Sequence, residues 1–139
     1  MATSQTQKPE GLAAGRPTPL PRLLIVEDSL TMRETLRILL SQDFDCEVAE
    51  DGARGLVLAL ASPPDLLLSD VEMRGVDGYE LVRRVRAQPT LAHCRIVLLS
   101  GHAPRTEEHG ADLYLVKPVR PALLIERLHG LLRARLSAP

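Results

Sequence analysis

Aromatic side chains are almost missing from this 139-residue sequence: Phe44, Tyr79 and Tyr114 are the whole complement, and there is no tryptophan. That is too few rings to stack the successive bases of a single-stranded nucleic acid, and it obliges the core to be aliphatic. Cysteine is equally sparse. Cys46 and Cys94 stand alone, without the Cys-x-x-Cys spacing of a zinc or redox site, so a secreted disulfide scaffold is excluded and both read as small core or near-surface residues. No stretch approaches the ~18 uninterrupted apolar residues of a membrane-spanning helix, and the segment from Met1 to Leu20 has no apolar h-region. Membrane insertion therefore has no support, and a cytoplasmic location is expected. Charge of one sign is also lacking: Lys+Arg number 17 against 18 Asp+Glu, a formal net charge of -1. No global field draws the chain to nucleic acid or to an anionic membrane.

What is present is the mixture of an ordinary folded domain, 45% apolar and 25% charged residues in a length suited to one core. Residues 1–21 carry four prolines (Pro9, Pro17, Pro19 and Pro21) among Thr, Gln, Gly and Ala, and read as a disordered tail. The folded domain is expected over 22–136, followed by a short tail at 137–139. It begins with Arg22-Leu23-Leu24-Ile25-Val26, a continuous apolar run of the kind that a strand buried on both faces requires. Thr31 and Glu34 then have capping-box spacing, with Met32, Leu36, Leu39 and Leu40 forming a helical stripe. The alternation repeats: strand Cys46–Ala49, helix Ala53–Ala61 stopped by Pro63-Pro64, strand Leu66–Leu68, helix Tyr79–Ala87, strand Ile96–Leu99, strand Leu113–Val116. A closing helix over Arg120–Leu136 places Leu124, Leu128, Leu131 and Leu132 on one stripe. Five strands alternating with helices imply a doubly wound parallel sheet covered on both faces.

In such sheets the chemistry lies outside the carboxyl ends of the strands. The residues there are Glu27 and Asp28, then Asp70, Ser100 and Lys117. Each alone has a bland explanation: Asp28 as a helix cap, Asp70 as the start of a turn, Lys117 as a solvated charge. One register places all five at the same edge, which favours a site. Neighbouring carboxylates repel unless a cation intervenes, and oxygen-rich sites suit Mg²⁺ or Mn²⁺ completed by phosphate oxygens. Lys117 and the Ser100 hydroxyl would stabilise a phosphoryl group in transfer. Asp70, central in the set, is the natural nucleophile, because a carboxylate can form an acyl phosphate.

These segments resemble the receiver domain of two-component response regulators, of the single-domain, chemotaxis-regulator-like kind. Ile25-Val26-Glu27-Asp28-Ser29 is similar to the family's acidic-pair segment, and Asp70-Val71-Glu72-Met73-Arg74-Gly75-Val76-Asp77-Gly78 to its phosphoacceptor loop. Leu98-Leu99-Ser100-Gly101 resembles the switch-hydroxyl segment, and Tyr114-Leu115-Val116-Lys117-Pro118 the strand that ends in a Lys-Pro pair. The resemblance implies a flavodoxin-like sheet of order 2-1-3-4-5. It makes Asp70 the phosphorylated aspartate, with its side chain and the Glu72 carbonyl on the metal. It also puts Asp28 directly on the metal, Glu27 mostly through water, Lys117 on the phosphoryl group, Ser100 as switch hydroxyl, Tyr114 as switch aromatic and a cis bond before Pro118. The side chains of Glu72 and His102 would border the path of the hydrolytic water.

Three features depart from the family pattern. Glu27 replaces the more usual Asp, and Arg74 stands where proline is common. The interval Gly101 to Val116 is shorter than usual, and its first part has no apolar stripe, so the family's fourth helix is expected to be short or absent and this segment mobile. The function implied is Asp70 phosphorylation within a two-component phosphorelay and output by protein contact. It is not an enzyme acting on a separate substrate. A sensor histidine kinase or phosphotransfer protein would act upstream and an unidentified protein downstream, with no nucleic acid and no membrane as partner. The competing readings are a phosphorylation-independent interaction domain that keeps the pocket, and a small Mg²⁺-dependent phosphohydrolase. His93, His102, His109 and His129 read as solvated, and Arg83, Arg84 and Arg86 as a solvated basic face or docking surface.

Overall fold

The computed structural model describes residues 19–137, with side chains to 134; most of the proline-rich segment, and residues 138–139, lie outside them. Five parallel strands, β1 (Arg22–Val26), β2 (Asp45–Ala49), β3 (Leu66–Asp70), β4 (Arg95–Ser100) and β5 (Leu113–Val116), form one sheet in the order β2-β1-β3-β4-β5. The three strands read as continuous apolar runs are the central ones. Leu23 to Val26, Leu66 to Leu68 and Ile96 to Leu98 are almost wholly buried, because both faces of each strand are covered.

Helices α1 (Leu30–Leu40) and α4 (Pro121–Ser137) cover one face. There Leu36, Leu40, Leu124, Leu128 and Leu132 pack with Phe44 on Leu23, Ile25, Leu68 and Val97. Helices α2 (Gly52–Ala61) and α3 (Gly78–Arg86) cover the other, where Ala59, Leu81, Val82 and Val85 meet Leu24, Val26, Leu67 and Leu98. Each fully buried leucine contributes roughly 1.5–3 kcal/mol of transfer free energy, and their alternation between the two faces fixes the strand register. No helix among the described residues is long and apolar enough to cross a membrane.

The starts of α1, α2 and α3 are capped by side chains. Ser29, Asp51 and Asp77 accept hydrogen bonds from the N–H groups of Met32, Arg54 and Glu80, satisfying donors that the helix leaves open. This corrects the capping-box reading of Thr31 and Glu34: the helix begins one residue after Ser29, so Thr31 lies inside it and Glu34 pairs with Arg37. The α1 stripe is narrower than the sequence implied, with Leu36 and Leu40 buried but Met32 and Leu39 exposed.

Residues 101–112, between β4 and β5, contain no helix. Their far end is knotted by Asp112, which accepts from the Ile96 N–H at 2.7 Å and from Arg86 at 2.8 Å. The basic stretch of α3 is therefore not a free positive face. Arg83 and Arg84 pair with Glu80, while Arg86 also binds the carbonyls of Gly110 and Cys94. Histidines are likewise engaged rather than merely solvated, His102 Nδ1 lying 3.6 Å from the Glu72 carboxylate. His129 meets Asp43 at 3.0 Å and stacks on Phe44, and His109 Nδ1 accepts from the Ala111 N–H.

Candidate functional site

The parallel register brings the ends of β1, β3, β4 and β5 to one edge. Asp70 pairs with Leu99, so Ser100 lies one step further out beside the loop that follows β3, and Ser100 in turn pairs with Val116, immediately before Lys117. The start of α3 is fastened to the same place, because the Gly78 N–H donates to the Val71 carbonyl and the Val71 N–H to the Leu99 carbonyl. At Gly78 a side chain would not fit: a Cβ there would stand 2.6 Å from the Asp70 carbonyl oxygen and 2.8 Å from the Val71 Cα.

Within this frame one carboxylate oxygen from each of Glu27, Asp28 and Asp70 lies within 4.8 Å of the other two. Glu27 and Asp70 are buried, whereas Asp28 is half-buried. Glu27 accepts the Ser29 N–H at 3.0 Å, and the Arg74 N–H approaches Asp28 at 3.4 Å. The Lys117 ammonium stands 2.8 Å from Asp70 Oδ1 as an ion pair. It lies against this buried oxygen and holds Asp70 as a charge-assisted pair. The bond between Lys117 and Pro118 is cis.

The electrostatics follow from this crowding. Burial pushes the Asp70 carboxyl above its ordinary range; Lys117 pulls it down, and the charges of Glu72 and Asp28 push it further up. Glu27 is also raised, first by burial and then by the nearby Asp70 charge, against the lowering effect of the Ser29 N–H. For Lys117 burial opposes the charged form, but the surrounding carboxylates, led by Asp70, outweigh it and raise its pKa. The pocket thus holds more negative charge than one ammonium offsets, and it presents oxygen donors on one side and a cation on the other.

Ser100 is fully buried, and its hydroxyl donates to the side chain of Glu72. Tyr114 donates its hydroxyl to the His102 carbonyl at 2.8 Å. The structure thus gathers Glu27, Asp28, Asp70 and Lys117 in one pocket, and sets Glu72, Ser100 and Tyr114 in a chain leading from it. The Glu72 contact is invisible in the sequence, since it arises from the register between β3 and β4. The interaction of Arg105 with Tyr79 and Asp77 is hidden in the same way, and its only signal was a polar stretch that lacked a helical stripe.

Comparison with known proteins agrees with the topology. The model of the response regulator receiver domain matches residues 23–129. The chain is 36% identical over 122 residues to the sensor histidine kinase TmoS of Ectopseudomonas mendocina, covering 84% of this chain and 12% of that protein. It is 33% identical over 121 residues to the response regulator PleD of Caulobacter vibrioides, covering 83% and 27%. Both relatives are therefore much longer than the part that this chain matches. Among solved structures, the chemotaxis protein CheY4 of Vibrio cholerae superposes with a TM-score of 0.75 at 29% identity, over 81% of this chain and 98% of that one. With the strand order, the family match and these relatives in agreement, the chain belongs to the response regulator receiver domain family, the signalling module of two-component systems.

Proposed function

We propose that this chain accepts a phosphoryl group on Asp70 and transmits the change through protein contacts, as one step of a two-component phosphorelay in the cytoplasm. The observation that carries the reading is the buried Asp70 carboxylate, set beside two further acids and 2.8 Å from the Lys117 ammonium.

The residues fit a divalent cation. Glu27, Asp28 and Asp70 offer only hard oxygen donors within 4.8 Å of one another, the set that Mg²⁺ or Mn²⁺ prefers. Asp28 and Asp70 would hold the ion with the Glu72 carbonyl, and Glu27 would act mostly through water. When bound, the ion supplies positive charge that offsets the phosphoryl oxygens.

The protein's own groups do the rest. An oxygen of ionised Asp70 attacks the phosphorus of a phosphohistidine or acyl phosphate. An O–P bond forms as the donor's P–N or P–O bond breaks, and the leaving group departs with the electron pair. Lys117, already beside Asp70, neutralises charge on the incoming phosphoryl oxygens. Ser100 then donates its hydroxyl to one of those oxygens, and Tyr114 follows it inward. The upstream partner is a sensor histidine kinase or histidine phosphotransfer protein, and the downstream partner is a protein. The test is incubation with acetyl phosphate and Mg²⁺, with and without chelator. A single acid-stable, base-labile phosphoryl adduct that needs the metal is expected; no adduct, or one that is indifferent to chelation, would overturn the proposal.

A further inference from the structure

A chain of hydrogen bonds runs from Glu72 across the helix-free segment to α3. One oxygen of the Glu72 carboxylate takes the Ser100 hydroxyl, and the other takes the Gly101 N–H at 3.3 Å. The Ser100 oxygen accepts from the His102 N–H at 3.0 Å, and the His102 carbonyl accepts from Tyr114 at 2.8 Å. Tyr79, 3.5 Å from the Tyr114 hydroxyl, accepts the Arg105 N–H at 3.0 Å. The Arg105 guanidinium lies 4.1 Å over the Tyr79 ring and reaches Asp77 at 3.4 Å. Burial works against the Glu72 carboxylate, but these donors and His102 together hold its pKa below the ordinary value.

A serine hydroxyl has one proton to give. While that proton is committed to Glu72 it is not available to an oxygen on Asp70, and the same bond orients the Ser100 oxygen toward the His102 N–H. We infer that Glu72 is an autoinhibitory latch: its carboxylate competes with the phosphoryl group for the Ser100 hydroxyl and holds residues 100–102, with Tyr114 attached to them, in the unphosphorylated arrangement. The inference rests on the phosphoacceptor reading of Asp70. Hydrogen bonds to an ionised acceptor are stronger than neutral ones, so the latch opposes activation until a more highly charged acceptor arrives. When Ser100 leaves Glu72, the His102 amide loses its fixed acceptor and its carbonyl draws Tyr114 along. The backbone of His102 thus couples the hydroxyl to the ring across a segment that has no helix. A cleft of about 270 Å³, lined by Glu72, Tyr79, His102, Arg105 and Tyr114, gives this movement room.

The chain has two tyrosines and no tryptophan, and both tyrosines sit in this network, so tyrosine fluorescence reports it without background. Beryllofluoride with Mg²⁺ is titrated into wild type, Glu72→Ala, Ser100→Ala and the double variant. Glu72→Ala is expected to tighten binding by about threefold to tenfold, the range for a partly exposed charged hydrogen bond. Removing a negative charge also favours the anion, but that part persists in the Ser100→Ala background, so the gain should be clearly smaller there. Equal gains in the two backgrounds overturn the latch while leaving the phosphoacceptor reading intact. Binding by none of the four proteins overturns that reading and the latch with it. In the ligand-free state, NMR amide exchange at Gly101 and His102 should quicken in Glu72→Ala; unchanged exchange refutes the latch independently of any phosphoryl chemistry.

Discussion

Replacing Gly78 by alanine tests whether the start of α3 really clamps the phosphoacceptor strand. The added Cβ would lie 2.6 Å from the Asp70 carbonyl oxygen and 2.8 Å from the Val71 Cα, where ordinary contact begins at 3.4 Å. Both neighbours are backbone and cannot turn aside, so α3 must back away by most of an ångström. It would thereby stretch the 3.0 Å hydrogen bond from the Gly78 N–H to the Val71 carbonyl. Forced overpacking of this kind costs about 1–3 kcal/mol, against a gain of up to ~1 kcal/mol from the better helix propensity of alanine. The cost wins, and the thermal midpoint should fall by roughly 4–10 °C. Gly101→Ala is the matched control, because nothing lies within 4 Å of the Cβ that it would add, and it should stay within about 0.5 kcal/mol of wild type. Thermal unfolding gives the stability, and beryllofluoride titration reads the site, which Gly78→Ala should weaken and Gly101→Ala should not. If Gly78→Ala matched its control in both measurements, the close approach of α3 to Asp70 would be wrong.

Two further outcomes follow from the pocket. Asp28→Ala should weaken Mg²⁺ binding more than Glu27→Ala does, since Glu27 is buried and already engaged by the Ser29 N–H; calorimetric titrations showing equal losses would contradict that division. The pH dependence of stability has a definite sign at Asp70. Its folded-state pKa is raised above the ordinary value of 3.8, chiefly by burial, so between those two values the native state keeps a proton that the unfolded chain has released. Stability contributed by this group is therefore present at lower pH and is lost as pH rises through the window. Urea unfolding across that range should show a shallower decline for Asp70→Asn than for wild type, and an unchanged slope would refute the assignment.

The sheet was legible because its central strands are uninterrupted aliphatic runs at spacings that only crossover helices can bridge. Leu23 to Val26 and Ile96 to Leu98 are buried on both faces, and such runs read plainly in one dimension. The acidic pair, Asp70, Ser100 and Lys117 were legible for the same reason, each standing where a run stops. The rest depends on register and close approach. Thr31 and Glu34 had the spacing of a capping box, yet it is Ser29, in extended backbone conformation, whose side chain accepts the Met32 N–H. Residues 101–112 read as mobile from their polarity; in the structure this segment hydrogen-bonds to Tyr79, Tyr114 and Ile96. Their partners are distant in sequence, so no local pattern could reveal the ties. The destination of the Ser100 hydroxyl was hidden too, since it depends on how the loop after β3 lies against β4.

The central claim, that Asp70 is the phosphoacceptor, is tested most directly by intact-mass analysis of wild type and Asp70→Asn after incubation with acetyl phosphate and Mg²⁺. The account predicts one phosphoryl adduct on the wild-type chain and none on the Asp70→Asn chain, with both proteins folded by circular dichroism. An adduct of equal yield on Asp70→Asn would contradict it, because the phosphoryl group would then be carried by some residue other than the buried carboxylate beside Lys117.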